Sequence, residues 1–243
     1  MRTYVVTGAG SAIGRAIIGQ LQSEGCRIIA TDLTETELAE PVSFIEADLS
    51  SPAGLNRLVA GIKSENTALS GLVHVAMLQR GGLDTCTYDE FMSVYAVAAA
   101  APYYLVQQLQ PSFGPEAAIV LIGSTRAYMS QPQSESYAAA KGGLFALNHA
   151  LAMSLRGSVR VNLISPGWIQ KDDDAAVTAA DRQSQPVGRI GQPADVAALC
   201  AFLLSPKAGF ITGAAFTLDG GMTRQMIYPG EFGWSFAHEK GPG

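Results

Sequence analysis

Seven short apolar runs punctuate the chain, at 4–6, 27–31, 42–45, 72–75, 118–122, 159–164 and 215–218. Longer stretches with apolar residues at helical spacing lie between them, at 13–23, 53–63, 88–109, 137–155 and 194–204. The short runs predict strands and the long ones helices. Their alternation predicts an α/β architecture, a parallel sheet covered on both faces. The runs 119–122 and 161–164 are apolar at most positions, as strands buried on both faces must be. No repeat, low-complexity block or Pro/Gly/Ser linker interrupts the pattern, so residues 1–243 read as a single domain. Two segments fall outside it. Residues 170–190 open on the acidic run Asp172, Asp173, Asp174 after a strand end, where long excursions serve as substrate lids or as plain surface helix. Residues 222–243 form a C-terminal tail carrying Tyr228, Phe232, Trp234 and Phe236; such aromatics are expected to dock on the body or a neighbouring subunit, with disorder of the last few residues as the alternative.

Charge and cysteine content narrow the function classes. The formal net charge is −5 and no long basic run exists, which argues against nucleic acid or an anionic membrane as a main partner. Cys26, Cys86 and Cys200 are widely separated, odd in number and without metal-ligand spacing. They predict no metal site and a reducing, cytoplasmic setting. No apolar run is long enough for a bilayer span, and the chain enters a strand pattern directly, so neither anchor nor signal peptide is expected.

Two strings carry candidate chemistry. The first is Thr7-Gly8-Ala9-Gly10-Ser11-Ala12-Ile13-Gly14, after the first predicted strand and opening the first helix. Glycines there let backbone N–H groups approach a pyrophosphate, and the helix N-terminus favours the anion. Asp32 ends the next strand, where a carboxylate accepts hydrogen bonds from ribose hydroxyls and repels a 2′-phosphate. NAD(H) is therefore expected over NADP(H), although Asp32 acting as a local cap is the plain alternative and Arg15 offers a phosphate a partner. The second string is Ser136-Tyr137-Ala138-Ala139-Ala140-Lys141, with Ser124 upstream at the end of the run 118–122. Spacing of four puts Tyr137 and Lys141 on one helix face. A neighbouring cation is expected to lower the phenol pKa and suit it to proton exchange with an alcohol or carbonyl oxygen.

With these parts in order, the chain resembles a short-chain dehydrogenase/reductase from Thr3 to Gly221. The resemblance adds Asp48 with Leu49 beside it, His74-Val75-Ala76-Met77, Pro166-Gly167-Trp168-Ile169, Arg189-Ile190-Gly191-Gln192-Pro193-Ala194-Asp195, and Thr212-Gly213 with Asp219-Gly220-Gly221. Ser124 lies thirteen residues before Tyr137, as in the family pattern. The resemblance implies a Rossmann-type, doubly wound, seven-stranded parallel sheet in the order 3-2-1-4-5-6-7, in three α/β/α layers. It implies Tyr137 as general acid/base, Lys141 as its tuning cation and a ribose contact, and Ser124 as a hydrogen-bond donor to the substrate oxygen. Cofactor contacts are implied at Gly8, Ser11, Ala12, Ile13, Gly14, Asp32, Asp48, Leu49, His74, Ala76, Tyr137, Lys141, Pro166, Gly167 and Ile169. Substrate contacts are expected among Arg126, Tyr128, Trp168 and Lys171, with Gln79, Arg80 and Gln131 nearby. The implied activity is interconversion of a secondary alcohol and a ketone. Non-redox chemistry on the same fold, or a silent NAD-binding scaffold, are the alternatives.

Three departures bear on that reading. His74-Val75-Ala76-Met77 stands where the family has Asn-Asn-Ala-Gly, leaving His74 a cofactor contact or a packed core histidine. Ala98 replaces the family's helix asparagine, and Pro102, four residues on, has no N–H for the Ala98 carbonyl, predicting a kinked helix. Lys171 stands where the family threonine holds the nicotinamide amide. The small residues Ala96, Ala99, Ala100 and Ala101, and Ala138, Ala139, Ala140, Gly142 and Gly143, are expected to pair helices between subunits in a homotetramer.

Overall fold

A computed structural model describes residues 1–35, 37–39, 41–170, 177–226 and 228. Seven strands form one parallel sheet: β1 Thr3–Thr7, β2 Arg27–Asp32, β3 Val42–Glu46, β4 Leu69–His74, β5 Phe113–Ile122, β6 Arg160–Pro166 and β7 Ala215–Leu218. Their order is β3-β2-β1-β4-β5-β6-β7, with every pairing parallel. The chain thus winds outward from β1 in both directions and leaves a crevice at the carboxyl ends of β1 and β4, where the order reverses.

Helices cover both faces. One face packs Val5, Leu72, Ile119, Leu121, Val161 and Leu163 against α2 (Pro52–Ser64), α4 (Ala101–Leu109) and α5 (Glu135–Ser154). The other packs Tyr4, Val6, Ile28, Val120 and Ile164 against α1 (Ala12–Ser23) and α7 (Pro193–Leu204). Alternate residues of one strand feed opposite cores, which is why the central strands lack a polar face. No helix among the described residues is long and apolar enough to cross a membrane.

Local chemistry sets the helix starts. Ser11 and Ser51 cap α1 and α2 by accepting the N–H of Gly14 and Gly54. Thr87 and Glu90 form a reciprocal capping box at α3 (Tyr88–Tyr95), and Thr178 with Asp181 forms another at the short α6 (Ala179–Gln183).

The predicted helix over 88–109 proves to be three pieces. Between α3 and α4 lies a π turn, Ala96–Ala100, in which the Ala101 N–H bonds to the Ala96 carbonyl. The backbone absorbs one extra residue there, and Pro102 takes an early position in α4. Of the two unassigned segments, 177–190 contains α6 and returns to the body through the Val187 N–H, bonded to the Gly220 carbonyl at 3.0 Å. Lys171 and the acidic run lie outside the described residues, as does the tail beyond Tyr228.

Candidate active site

The glycine loop is shaped by contact. Gly8 has φ +69°, and a Cβ there would sit 2.6 Å from the Ala76 nitrogen. A Cβ on Gly14 would sit 2.2 Å from the Gly8 carbonyl oxygen. Bulk at either position would displace backbone, so glycine is required for the loop to close against the end of β4. The Ser11 hydroxyl donates to the Gly8 carbonyl at 2.8 Å and accepts the Gly14 N–H at 3.0 Å, fixing the turn from within. Asp32 accepts the Gly10 N–H at 2.8 Å and the Leu33 N–H at 2.7 Å. Its carboxylate is therefore both a brace for the loop and, through its remaining lone pairs, an acceptor facing the crevice. Arg15 folds back on the Gly10 carbonyl.

A cavity of about 280 Å³ opens beside this loop. Gly8, Ser11, Asp32, Asp48, Leu49 and Ala76 line it, all expected from sequence. Leu33, Ala47, Val75, Met77, Leu78 and Val97 line it too. Most of these flank predicted positions by one residue, a signal that strand-end adjacency offered. Ala12 and Ile13 sit in the first turn of α1. The cradle, the helix N-terminus and the strand-end carboxylate fit a dinucleotide.

His74 does not line this cavity. It is 1% exposed, and both ring nitrogens are taken by protein. Nε2 lies 3.0 Å from the Val97 carbonyl, which can only accept, so Nε2 carries the proton. Nδ1 then accepts from the Thr7 hydroxyl at 2.9 Å. The same Thr7 oxygen accepts the Val75 and Ala76 N–H groups. Burial, with the Lys141 charge second, pushes the imidazole pKa down to about 3, so the ring is neutral. His74 is thus a buried clamp between β1 and the π turn, and its expected role as a cofactor contact is corrected.

The catalytic candidates meet at the carboxyl end of β5. Ser124 follows that strand and caps the turn Thr125–Ala127, its hydroxyl accepting the Arg126 N–H at 3.2 Å. Tyr137 and Lys141 stand one turn apart on α5, with Nζ 5.7 Å from the ring centroid. The Arg126 guanidinium carbon lies 5.5 Å from the same centroid. Lys141 is 3% exposed, and its Nζ donates to the Ile122 carbonyl at 2.7 Å. Burial lowers its pKa to about 7.

The expected sign of the phenol shift is overturned. Burial raises the Tyr137 pKa above its ordinary value, outweighing the hydrogen bond with Ser124 and the Arg126 charge, which lower it. The helical spacing puts a cation beside the phenol, but Tyr137 is half-buried and Lys141 buried, and loss of water disfavours phenolate and ammonium alike.

Other elements hold the site in place. The Leu83 N–H donates to Glu135 at 2.9 Å, the Asp84 N–H to the Gln133 side chain at 3.0 Å, and the Ser136 hydroxyl to the Gly81 carbonyl at 3.0 Å. These bonds tie the loop after β4 to the start of α5, beside Tyr137; sequence reasoning missed them because the partners lie about fifty residues apart. Pro166 ends β6, and Gly167 packs so closely on Asp219 that a Cβ would fall 2.7 Å from the aspartate Cβ. Ile169 bridges to Gly191, within the string 189–195, where Arg189 grips Asp195 through two 2.7 Å bonds. Tyr128 donates to or accepts from Thr217 at 2.9 Å and meets Phe145 edge-on. Trp168 is 40% exposed.

Comparison with known proteins agrees with this architecture. A family model described as enoyl-(acyl carrier protein) reductase matches residues 8–223. An uncharacterised oxidoreductase of Thermotoga maritima is 34% identical, covering 93% of this chain and 98% of that one. The 2-(S)-hydroxypropyl-CoM dehydrogenase 3 of Xanthobacter autotrophicus is 30% identical over 90% of this chain and 95% of its own. The structure of an apo SCOR enzyme from Clostridium thermocellum superposes with a TM-score of 0.89 at 34% identity, covering 97% of this chain and 98% of that one. With a matched family model over most of its length, the seven-stranded sheet in the expected order, and Ser124, Tyr137 and Lys141 at the end of β5, this chain belongs to the short-chain dehydrogenase/reductase family of oxidoreductases.

Proposed function

We propose that the protein interconverts a secondary alcohol and a ketone with NAD(H), Tyr137 moving the proton. The observation that carries this reading is the meeting of Ser124, Tyr137 and Lys141 at the carboxyl end of β5, on the same edge of the parallel sheet as the glycine loop after β1 and Asp32 at the end of β2. The relative named a 2-(S)-hydroxypropyl-CoM dehydrogenase supports a secondary carbinol as the reacting group. The bound dinucleotide supplies the hydride acceptor or donor. The chain's own residues do the rest. Backbone N–H groups of Ala12 and Ile13, at the start of α1, would hold the pyrophosphate, those of Ala9, Gly10, Ser11 and Gly14 being bonded within the protein, and Asp32 would take the ribose hydroxyls. Pro166, Gly167 and Ile169 shape the nicotinamide end. Tyr137 gives its phenolic proton to the carbonyl oxygen in reduction, or takes one from the alcohol in oxidation. Ser124 donates a hydrogen bond to the same oxygen as charge develops on it. Lys141 presents the nitrogen protons not spent on Ile122 to the nicotinamide ribose. Following nicotinamide absorbance during turnover tests the reading, because elimination, isomerisation or cyclisation would leave it unchanged.

Cofactor choice follows from Asp32. A 2′-phosphate would meet a carboxylate already fixed by two N–H groups, and like charges so placed cost several kcal/mol. Steady-state kinetics with both cofactors should favour NAD(H), and Asp32→Ser should shift the kcat/KM ratio toward NADP(H) by about tenfold or more. An unchanged ratio would leave Asp32 as a loop brace only.

The free cysteines, two of them buried, fit a reducing cytoplasmic setting. We further propose a homotetramer paired through α3, α4 and α5. Tyr88, Met92, Tyr95, Tyr103 and Phe145 leave exposed apolar surface on these helices. Sedimentation at micromolar concentration should show a tetramer; a monomer alone would refute the pairing.

A further inference from the structure

Arg126 and Lys141 are the two basic side chains that the structure describes over the ring of Tyr137. The Arg126 guanidinium lies over the ring of the reactive tyrosine, 5.5 Å from the centroid. It is half-buried, and its own N–H is held by the Ser124 hydroxyl. Arg2, Arg27 and Arg189 are paired with Glu24, Glu65 and Asp195. Arg126 is paired with no carboxylate among the described residues; its side-chain partner is the neutral Gln131 oxygen. A guanidinium has five N–H donors in a rigid fork, so most remain available.

A half-buried cation without a counter-charge is costly in itself. Gln131 and the ring face offset part of that cost, but both are neutral. The substrate oxygen must lie against Tyr137 and Ser124, so the neighbouring atoms of the substrate pass beside the fork. An anion there would gain a two-pronged, charge-assisted contact and supply the missing negative charge.

We propose that Arg126 selects a substrate carrying a carboxylate close to the reacting carbon, a hydroxy acid or the matching oxo acid. The proposal rests on Tyr137 as the proton-transfer residue and says what that site accepts. It also accounts for Gln131, which orients the fork without neutralising it.

Matched acids and esters test it. Pyruvate, acetoacetate and levulinate are compared with their methyl esters as substrates for reduction, in wild type, Arg126→Gln and Arg126→Lys. At least one acid should exceed its ester in kcat/KM by about tenfold or more, chiefly through KM. That ratio should fall to about one in Arg126→Gln and lie between in Arg126→Lys. A wild-type ratio near one for every pair, or a ratio unchanged in Arg126→Gln, overturns the proposal. So does a common fall for acid and ester, which would make Arg126 a tuner of the phenol alone. A binding arm separates this from failure of the redox reading. Calorimetry of acetoacetate and methyl acetoacetate with the NAD complex of Tyr137→Phe should show tighter binding of the acid, lost on adding Arg126→Gln. If none of these compounds changes nicotinamide absorbance, none is a substrate for reduction and this arm alone decides Arg126: preference for the acid sustains it, equal affinity ends it.

Discussion

Tyr137→Phe should lower kcat by about 10²- to 10⁴-fold, the range contributed by a positioned acid/base, while NAD affinity stays within about threefold. The substitution removes one oxygen and keeps the ring. Packing beside α5 and the contacts of Arg126 and Lys141 with the ring face are therefore retained, so stability should change little. What goes is the proton donor to the carbonyl oxygen in reduction and the acceptor in oxidation. The residues around the glycine-loop cavity do not include Tyr137, which is why binding and turnover should part company. Each tenfold corresponds to about 1.4 kcal/mol of transition-state stabilisation, so the expected loss is about 3–5 kcal/mol. Single-turnover absorbance measurements and cofactor titration on the same variant make the comparison direct. Substantial residual turnover would mean that the phenol is not the acid/base. Because burial holds the phenol pKa high, oxidation should also accelerate with rising pH as phenolate becomes populated.

The parts of the molecule legible in the sequence are those fixed locally. Strands with continuous apolar runs, such as 118–122, could be read by period alone, and the glycine loop announced itself between a strand and a helix. The start of β5 was missed because Gly114, Pro115 and Glu116 interrupt the apolar pattern although the backbone still pairs with β4 at Phe113. Burial was also illegible. The four-residue spacing showed a cation beside a phenol, but not that both leave water, and so the sign of the Tyr137 shift came out reversed. The role of His74 depended on Thr7 and Val97, residues distant in sequence that only the folded chain brings to the two ring nitrogens. The departure at His74 and the one at Ala98, read with Pro102, stood apart in the sequence. In the structure His74 and Pro102 act on one stretch of helix, the π turn that contains Ala98.

That device gives the second large effect. In the π turn the Ala101 N–H bonds to Ala96, so Val97 loses its usual helical donor. The next candidate in the π register, Pro102, has no N–H. The His74 imidazole fills the gap. His74→Leu keeps the volume but leaves the buried Thr7 hydroxyl and the Val97 carbonyl without these partners, at about 1–3 kcal/mol each. The melting temperature should fall by at least about 5 °C. NAD should also bind more weakly, because Val75, Ala76 and Val97 line the cavity that the clamp supports. Acid sensitivity gives the clamp a signature of its own. The folded pKa lies near 3 against 6.5 for the free ring, so below 6.5 the unfolded chain binds a proton the folded chain refuses. The stabilisation is fully present above pH 6.5 and is lost as pH falls toward 3, and His74→Leu should flatten that part of the stability curve. Pro102→Ala supplies the cross-check. It restores an N–H within reach of the Val97 carbonyl, so in the His74→Leu background it should recover part of the loss, a coupling of about 1 kcal/mol in a double-mutant cycle. Strict additivity of the two substitutions would show that proline and histidine act independently, and the clamp would then be a packed histidine and nothing more.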